Sequence, residues 1–149
     1  MLEEDHILIL EDFLPYRLSV LSNTVSNAIA ESYGREFGLS IASWRVMAVV
    51  GRFPNSSAAQ LTSKTAMDKV AISRATAKLE QQGYLQRQAD NDDKRRFSLS
   101  LSQEGQAIYQ KIIPIAKHYE SRLLQDFAPE EQVLLKSLMQ RLESTVVDW

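Results

Sequence analysis

The stretch Asp68-Lys69-Val70-Ala71-Ile72-Ser73-Arg74-Ala75-Thr76-Ala77-Lys78-Leu79-Glu80-Gln81-Gln82-Gly83 decides how the chain is read. Asp68 has the side chain of an N-cap, and Gly83 is suited to the left-handed residue just past a helix end. A helix over 69–82 is expected between them. At 100° per residue, Ile72, Ala75, Thr76 and Leu79 share one face, which should be buried. The opposite face carries Val70, Ser73, Arg74, Ala77 and, at its edge, Lys78. Small, hydroxylated and basic residues are what a helix needs to lie in the DNA major groove.

The neighbouring segments extend the pattern. Upstream, Ser57-x-x-Gln60 has capping-box spacing and opens a short helix from Ala58 to about Lys64, with Thr65-Ala66-Met67 as the turn. Downstream of Gly83 the apolar period changes from 3.6 to 2. Tyr84-Leu85-Gln86-Arg87 and Phe97-Ser98-Leu99-Ser100-Leu101 read as strands, joined by the polar tip Asp90-Asn91-Asp92-Asp93-Lys94-Arg95-Arg96. Helix, turn, helix, strand, charged turn, strand is the order of a winged helix-turn-helix. The expected lobe covers 40–102, with the recognition helix at 69–82 and the wing at 84–101.

Charge follows the same division. The chain of 149 residues has a net charge of −2, but residues 62–96 hold 8 Lys/Arg and 5 Asp/Glu, a net +3 between acidic flanks. A basic element on an acidic scaffold fits a nucleic-acid contact. Ser73 and Arg74 are the candidates for base edges and Lys69 and Lys78 for phosphate. Ser57, Thr62, Ser63 and Thr65 are secondary phosphate candidates on the preceding helix and turn. At the tip, Lys94, Arg95 and Arg96 are candidate contacts. Asp93, two residues before Arg95, is placed to hold that guanidinium for insertion into a narrow minor groove.

The outer parts of the chain read as helices. Leu18, Leu21, Val25, Ala28 and Ile29 repeat at helical spacing after Pro15. Ser40 caps a second helix to about Arg52. Ser102 caps a long helix that contains Pro114, where a kink is expected, and Pro129 opens a last one with an apolar face of Val133, Leu135, Leu138, Met139, Leu142 and Val146. Segments 7–36 and 103–147 carry more apolar surface than one small lobe can cover, and a homodimer joined through them is the economical solution. The fold class is thus mainly α, an α+β winged helix with long terminal helices, and 1–149 is read as a single domain.

Composition excludes several alternatives. There is no cysteine, hence no disulfide framework, thiolate metal site or cysteine redox switch. The acidic start Met1-Leu2-Glu3-Glu4-Asp5 lacks the charge of a secretory signal, and no apolar run reaches membrane-spanning length. A cytoplasmic, nucleoid-associated protein is expected. His6 and His118 are far apart, and no nucleophile–base spacing or phosphate loop is present, so neither an enzyme nor a cofactor or metal is expected. The competing class is a winged helix that contacts proteins and not DNA.

Several blocks together resemble the MarR family of bacterial transcriptional regulators. They are Asp68 through Ser73-Arg74, Leu79-Glu80-x-x-Gly83-Tyr84-Leu85, Asp90-x-x-Asp93-Lys94-Arg95-Arg96 and Leu99-x-Leu101-Ser102-x-x-Gly105, with Trp44-Arg45-Val46 upstream. The resemblance implies a homodimer with two winged lobes on a palindromic operator, acting as a regulator and expected to repress. It also implies a minor-groove role for Arg95 supported by Asp93. A small aromatic or phenolic effector is a further implication, with Tyr16, Tyr33, Phe37, Trp44, Arg45 and Tyr109 as candidate lining residues. Ordinary core packing is the competing reading of those side chains. Two departures are visible. Ser102 stands where the family has threonine, and Ala75 and Thr76 are smaller than the usual bulky pair, so looser packing is expected behind the helix.

Overall fold

The computed structural model describes residues 6–89, 92 and 96–149. Asp93, Lys94 and Arg95, the centre of the expected wing tip, lie outside the described residues. The chain forms two compact units, one running to Ile115 and one comprising Ala116–Trp149.

The first unit holds α1 (Leu14–Phe37), α2 (Ile41–Arg52), α3 (Ala58–Thr65), α4 (Lys69–Gln81), β1 (Leu85–Ala89), β2 (Phe97–Leu101) and the first part of α5 (Gln103–Leu123). Helix α1 starts at Leu14, beside the expected Pro15. Phe13 is extended at its N-cap and Pro15 occupies the first turn, and just before them Leu10–Asp12 form a 3-10 turn. Helix α1 ends at Gly38, which takes the left-handed conformation (φ 65°).

Side-chain caps set the starts of the next three helices. Ser40 accepts from the Ser43 N–H, Ser57 and Gln60 form the full reciprocal capping box, and Asp68 accepts from the Ala71 N–H at 2.8 Å. The strands pair antiparallel with Arg87 opposite Leu99 and Ala89 opposite Phe97. Ser56 adds an isolated bridge to the outer side of β2, with Leu99 N–H donating to the Ser56 carbonyl at 2.8 Å and Ser56 N–H to the Leu99 carbonyl at 3.1 Å.

The core of this unit is one cluster: Tyr33, Leu39, Val46, Met47, Val50, Leu61, Ile72, Ala75, Leu79, Leu85, Leu99 and Ile112. The buried face of α4 is Ile72, Ala75, Thr76 and Leu79, the face expected from the helical period. Where α4 gives way to the wing, a compact joint forms. Ser102 Oγ donates to the Gly83 carbonyl, and the Gly105 N–H donates to Ser102 Oγ at 3.0 Å. The Ser102 N–H donates to the Tyr84 carbonyl at 3.0 Å.

Helix α5 runs on through Pro114, which has no N–H to give to its ladder, and the boundary between the two units falls just after it. The second unit contains the end of α5 and α6 (Pro129–Val146). Pro129 sits in the first turn of α6, and the Glu131 carboxylate accepts from the Ala128 N–H at 2.9 Å. Leu123, Phe127, Val133, Leu134, Leu135, Leu138, Met139, Leu142 and Val146 are all exposed. No helix among the described residues is long and apolar enough to cross a membrane.

Candidate nucleic-acid interface

The capped N-terminus of α4 places its residues in a fixed rotation about the axis. With Ile72, Ala75, Thr76 and Leu79 turned inward, Lys69, Val70, Ser73, Arg74, Ala77 and Lys78 are all exposed. Val70 keeps 58% of its surface and is an apolar contact placed among the polar ones. In the first two turns of the helix, the outward row is therefore a cation, a methyl surface, a hydroxyl and a guanidinium. Such a row can read base edges and thymine methyl groups.

Helix α3 supports α4 through Leu61, which is fully buried, and leaves Ser63 exposed and Thr62 half-buried. Its hydroxyls are not equivalent. Thr62 donates to the Ala58 carbonyl at 3.0 Å. Thr65 donates to the Leu61 carbonyl and accepts from the Met67 N–H at 3.3 Å, so it closes the turn into α4. Ser57 is held by its capping role. These commitments leave the backbone amides at the start of α3 and the Ser63 hydroxyl as its outward groups.

At the wing, Arg96 is exposed and lines a shallow groove with Asn55, Ser57, Gln88, Ala89, Phe97 and Ser98. Asn55 is left-handed (φ 62°), and its side-chain carbonyl accepts from the Ser100 hydroxyl at 3.1 Å. The connection before α3 is thereby tied to β2. Sequence reasoning missed Asn55 and the Ser56 bridge, because neither has a local signature. It also gave Arg87 no role. Its guanidinium donates to the Glu80 carboxylate at 2.7 Å and lies 3.8 Å from the Phe97 ring centroid.

Between α3, α4 and the hairpin is a half-open groove of about 620 Å³, lined by Leu61 and Thr62 of α3, Ile72, Ser73 and Thr76 of α4, and Arg87, Phe97 and Leu99 of the hairpin, among others. The Thr76 hydroxyl is buried with no hydrogen-bond partner. An unpartnered buried hydroxyl costs about 1–3 kcal/mol, so Thr76→Val should raise stability by about 1 kcal/mol in a denaturant titration. A drop in the midpoint would mean that the hydroxyl is satisfied.

The candidate effector residues are partly gathered. Tyr33 and Trp44 have ring centroids 5.8 Å apart, and Trp44 and Tyr109 6.2 Å. Arg45 donates to the Ser26 hydroxyl at 3.3 Å. Burial pushes the Tyr33 phenol above its ordinary pKa, and the charge of Arg45 pulls partly the other way. Phe37 is half-buried against the same core. Tyr16 lies seventeen residues before Tyr33 on α1, about 25 Å along the axis, and is not brought to this group within one chain.

A capped helix-turn-helix with an outward basic row, flanked by a two-stranded wing, defines a winged helix-turn-helix protein. Known proteins agree. The family model described as the MarR family matches residues 37–96. A MarR/EmrR family transcriptional regulator from Acinetobacter sp. ADP1 superimposes with a TM-score of 0.87, at 25% identity, covering 95% of this chain and all of the other. A probable transcriptional regulator from Pseudomonas aeruginosa gives a TM-score of 0.76 at 29% identity, over 89% and 98% of the two chains. The HTH-type transcriptional regulator BilQ of Clostridium symbiosum is 26% identical over 108 residues, 72% of this chain and 75% of the relative. Residues 37–96 are thus similar to the MarR family, and the chain shares the fold of that family's transcriptional regulators.

Proposed function

We propose that the protein is a homodimeric repressor that places two α4 helices in successive major grooves of a palindromic operator, about one helical turn apart. The observation that carries this reading is the exposed row Lys69, Ser73, Arg74 and Lys78 on the helix whose other face is sealed into the core. Lys94, Arg95 and Arg96 extend the contact at the wing, Arg95 entering the flanking minor groove with Asp93 beside it. The dimer reading is supported by apolar surface that a single chain leaves uncovered. Ile7, Leu8 and Leu21 are each more than half exposed, as are Val133 and Leu134. Each such side chain gains about 1.5–3 kcal/mol when fully buried.

A gel-shift titration against the chain's own upstream region tests the reading. A specific shift that weakens steeply with salt is expected. No salt-sensitive, specific shift would favour a protein-binding module instead. Within that assay, Arg95→Ala should weaken every operator and lower the salt slope by about 1. Unchanged affinity and slope would remove Arg95 from the interface. Deleting residues 1–14 should shift the dimer toward monomer in sedimentation, and an intact dimer would show that the N-terminal segment is dispensable for pairing.

A small aromatic effector at Tyr33, Phe37, Trp44, Arg45 and Tyr109 is the regulatory part of this proposal. The close approach of the three rings and the adjacent guanidinium support it. A ligand seated there would relieve repression by changing the separation of the two lobes.

A further inference from the structure

We propose that Arg87 is a positioning residue for DNA binding, a strut that sets the separation between the recognition helix and the wing. The proposal rests on the reading that α4 and the wing engage one duplex together. In most small lobes the distance between a helix and a hairpin is fixed by apolar side chains filling the space between them. Here that space is in part a half-open groove of about 620 Å³, with Ile72, Ser73 and Thr76 on one wall and Arg87, Phe97 and Leu99 on the other. Apolar packing holds the hairpin through Leu85 and Leu99, which are buried, and more loosely through Phe97 and Leu101, which are only half-buried against the core.

Arg87 spans the gap. Its guanidinium is hydrogen-bonded at 2.7 Å to Glu80, in the last turns of α4. The strand register puts Arg87 opposite Leu99 and Phe97 opposite Ala89, so Arg87 and Phe97 are diagonal neighbours on one face of the hairpin. The guanidinium stacks 3.8 Å from the Phe97 ring centroid. A planar cation held edge-on by a carboxylate and face-on by a ring has little rotamer freedom. It ties α4, β1 and β2 at one point. The pair is 44% and 29% exposed, and a pair so exposed adds little to global stability. Its effect should therefore fall on geometry more than on melting temperature.

The test uses the full chain, the duplex that the wild-type protein selects from a random pool, and the variants Arg87→Met, Glu80→Ala and both together. Methionine keeps length and apolar contact with Phe97 and loses the ion pair. Each single variant should weaken binding about fivefold. The double variant should be no weaker than Arg87→Met, the salt slope should stay at the wild-type value, and the melting temperature should move by only about 2 °C. If Arg87 is a direct phosphate contact, Arg87→Met lowers the slope by about 1 and Glu80→Ala tightens binding, and either result overturns the strut. Equal affinity in all three variants also overturns it.

A second readout does not depend on DNA. The chain has no cysteine, so spin labels at Ala77→Cys on α4 and Gln88→Cys on β1 report one distance. In free protein, that distance distribution should broaden or shift when Arg87→Met is added. An unchanged distribution overturns the strut even if operator binding is intact. Failure of the wild-type protein to select any duplex would instead overturn the DNA-binding reading, with the label distances still deciding the mechanical role.

Discussion

Replacing Gly105 by alanine will lower the melting temperature by on the order of 10 °C. A Cβ built at this position falls 2.0 Å from the Tyr84 carbonyl oxygen and 2.8 Å from its carbonyl carbon. Both are backbone atoms, so no side-chain rotation relieves the overlap. The same carbonyl accepts the Ser102 N–H, and the Gly105 N–H is bonded to Ser102 Oγ. The helix start therefore cannot retreat without opening the joint between the end of α4, β1 and α5. Overpacking of this kind costs about 1–3 kcal/mol and sometimes more. Gln106→Ala, one residue further along the same helix at an exposed position, is the control. A melting temperature for Gly105→Ala equal to the control's would show that the joint yields easily.

Arg74→Ala will weaken binding to the preferred operator by about 1–3 kcal/mol and relax the preference at one base position. Arg74 is exposed in the second turn of α4, next to Ser73 and on the side away from Ile72 and Thr76. A guanidinium there can make two parallel bonds to guanine, and alanine makes none. Binding measured across single-base operator variants separates the alternatives. Loss confined to discrimination at one position assigns Arg74 to a base edge. A uniform loss over all sequences, with a lower salt slope, assigns it to phosphate.

Much of the lobe was legible because its signals are local. The caps at Ser40, Ser57 and Asp68 are side chains bonding to amides three residues on, and each pattern is present in the sequence itself. The buried face of α4 follows from helical spacing alone, and the hairpin from the change of period at Gly83. What was not legible depends on distant neighbours. The demand for glycine at position 105 comes from a carbonyl twenty-one residues earlier. The Ser56–Leu99 bridge and the Asn55–Ser100 bond join segments more than forty residues apart. Arg87 looked like one cation in a basic stretch until Phe97 and Glu80 were placed around it. Tyr16 was grouped with Tyr33 by chemistry, and only the length of a straight helix separates them.

The aromatic trio has a practical consequence. Trp44 sits between Tyr33 and Tyr109, whereas Trp149, the other tryptophan, is 91% exposed. The two indoles therefore emit from different environments, one half-buried and one exposed. Trp149→Phe leaves a chain with a single tryptophan, half-buried against the core of the first unit, excited both directly and through two tyrosines with ring centroids within 6.2 Å. Its emission wavelength and its tyrosine-sensitised intensity will report solvent entry and ring separation independently. The lobe thus carries its own optical gauge, able to follow unfolding or the arrival of an aromatic guest without any attached dye.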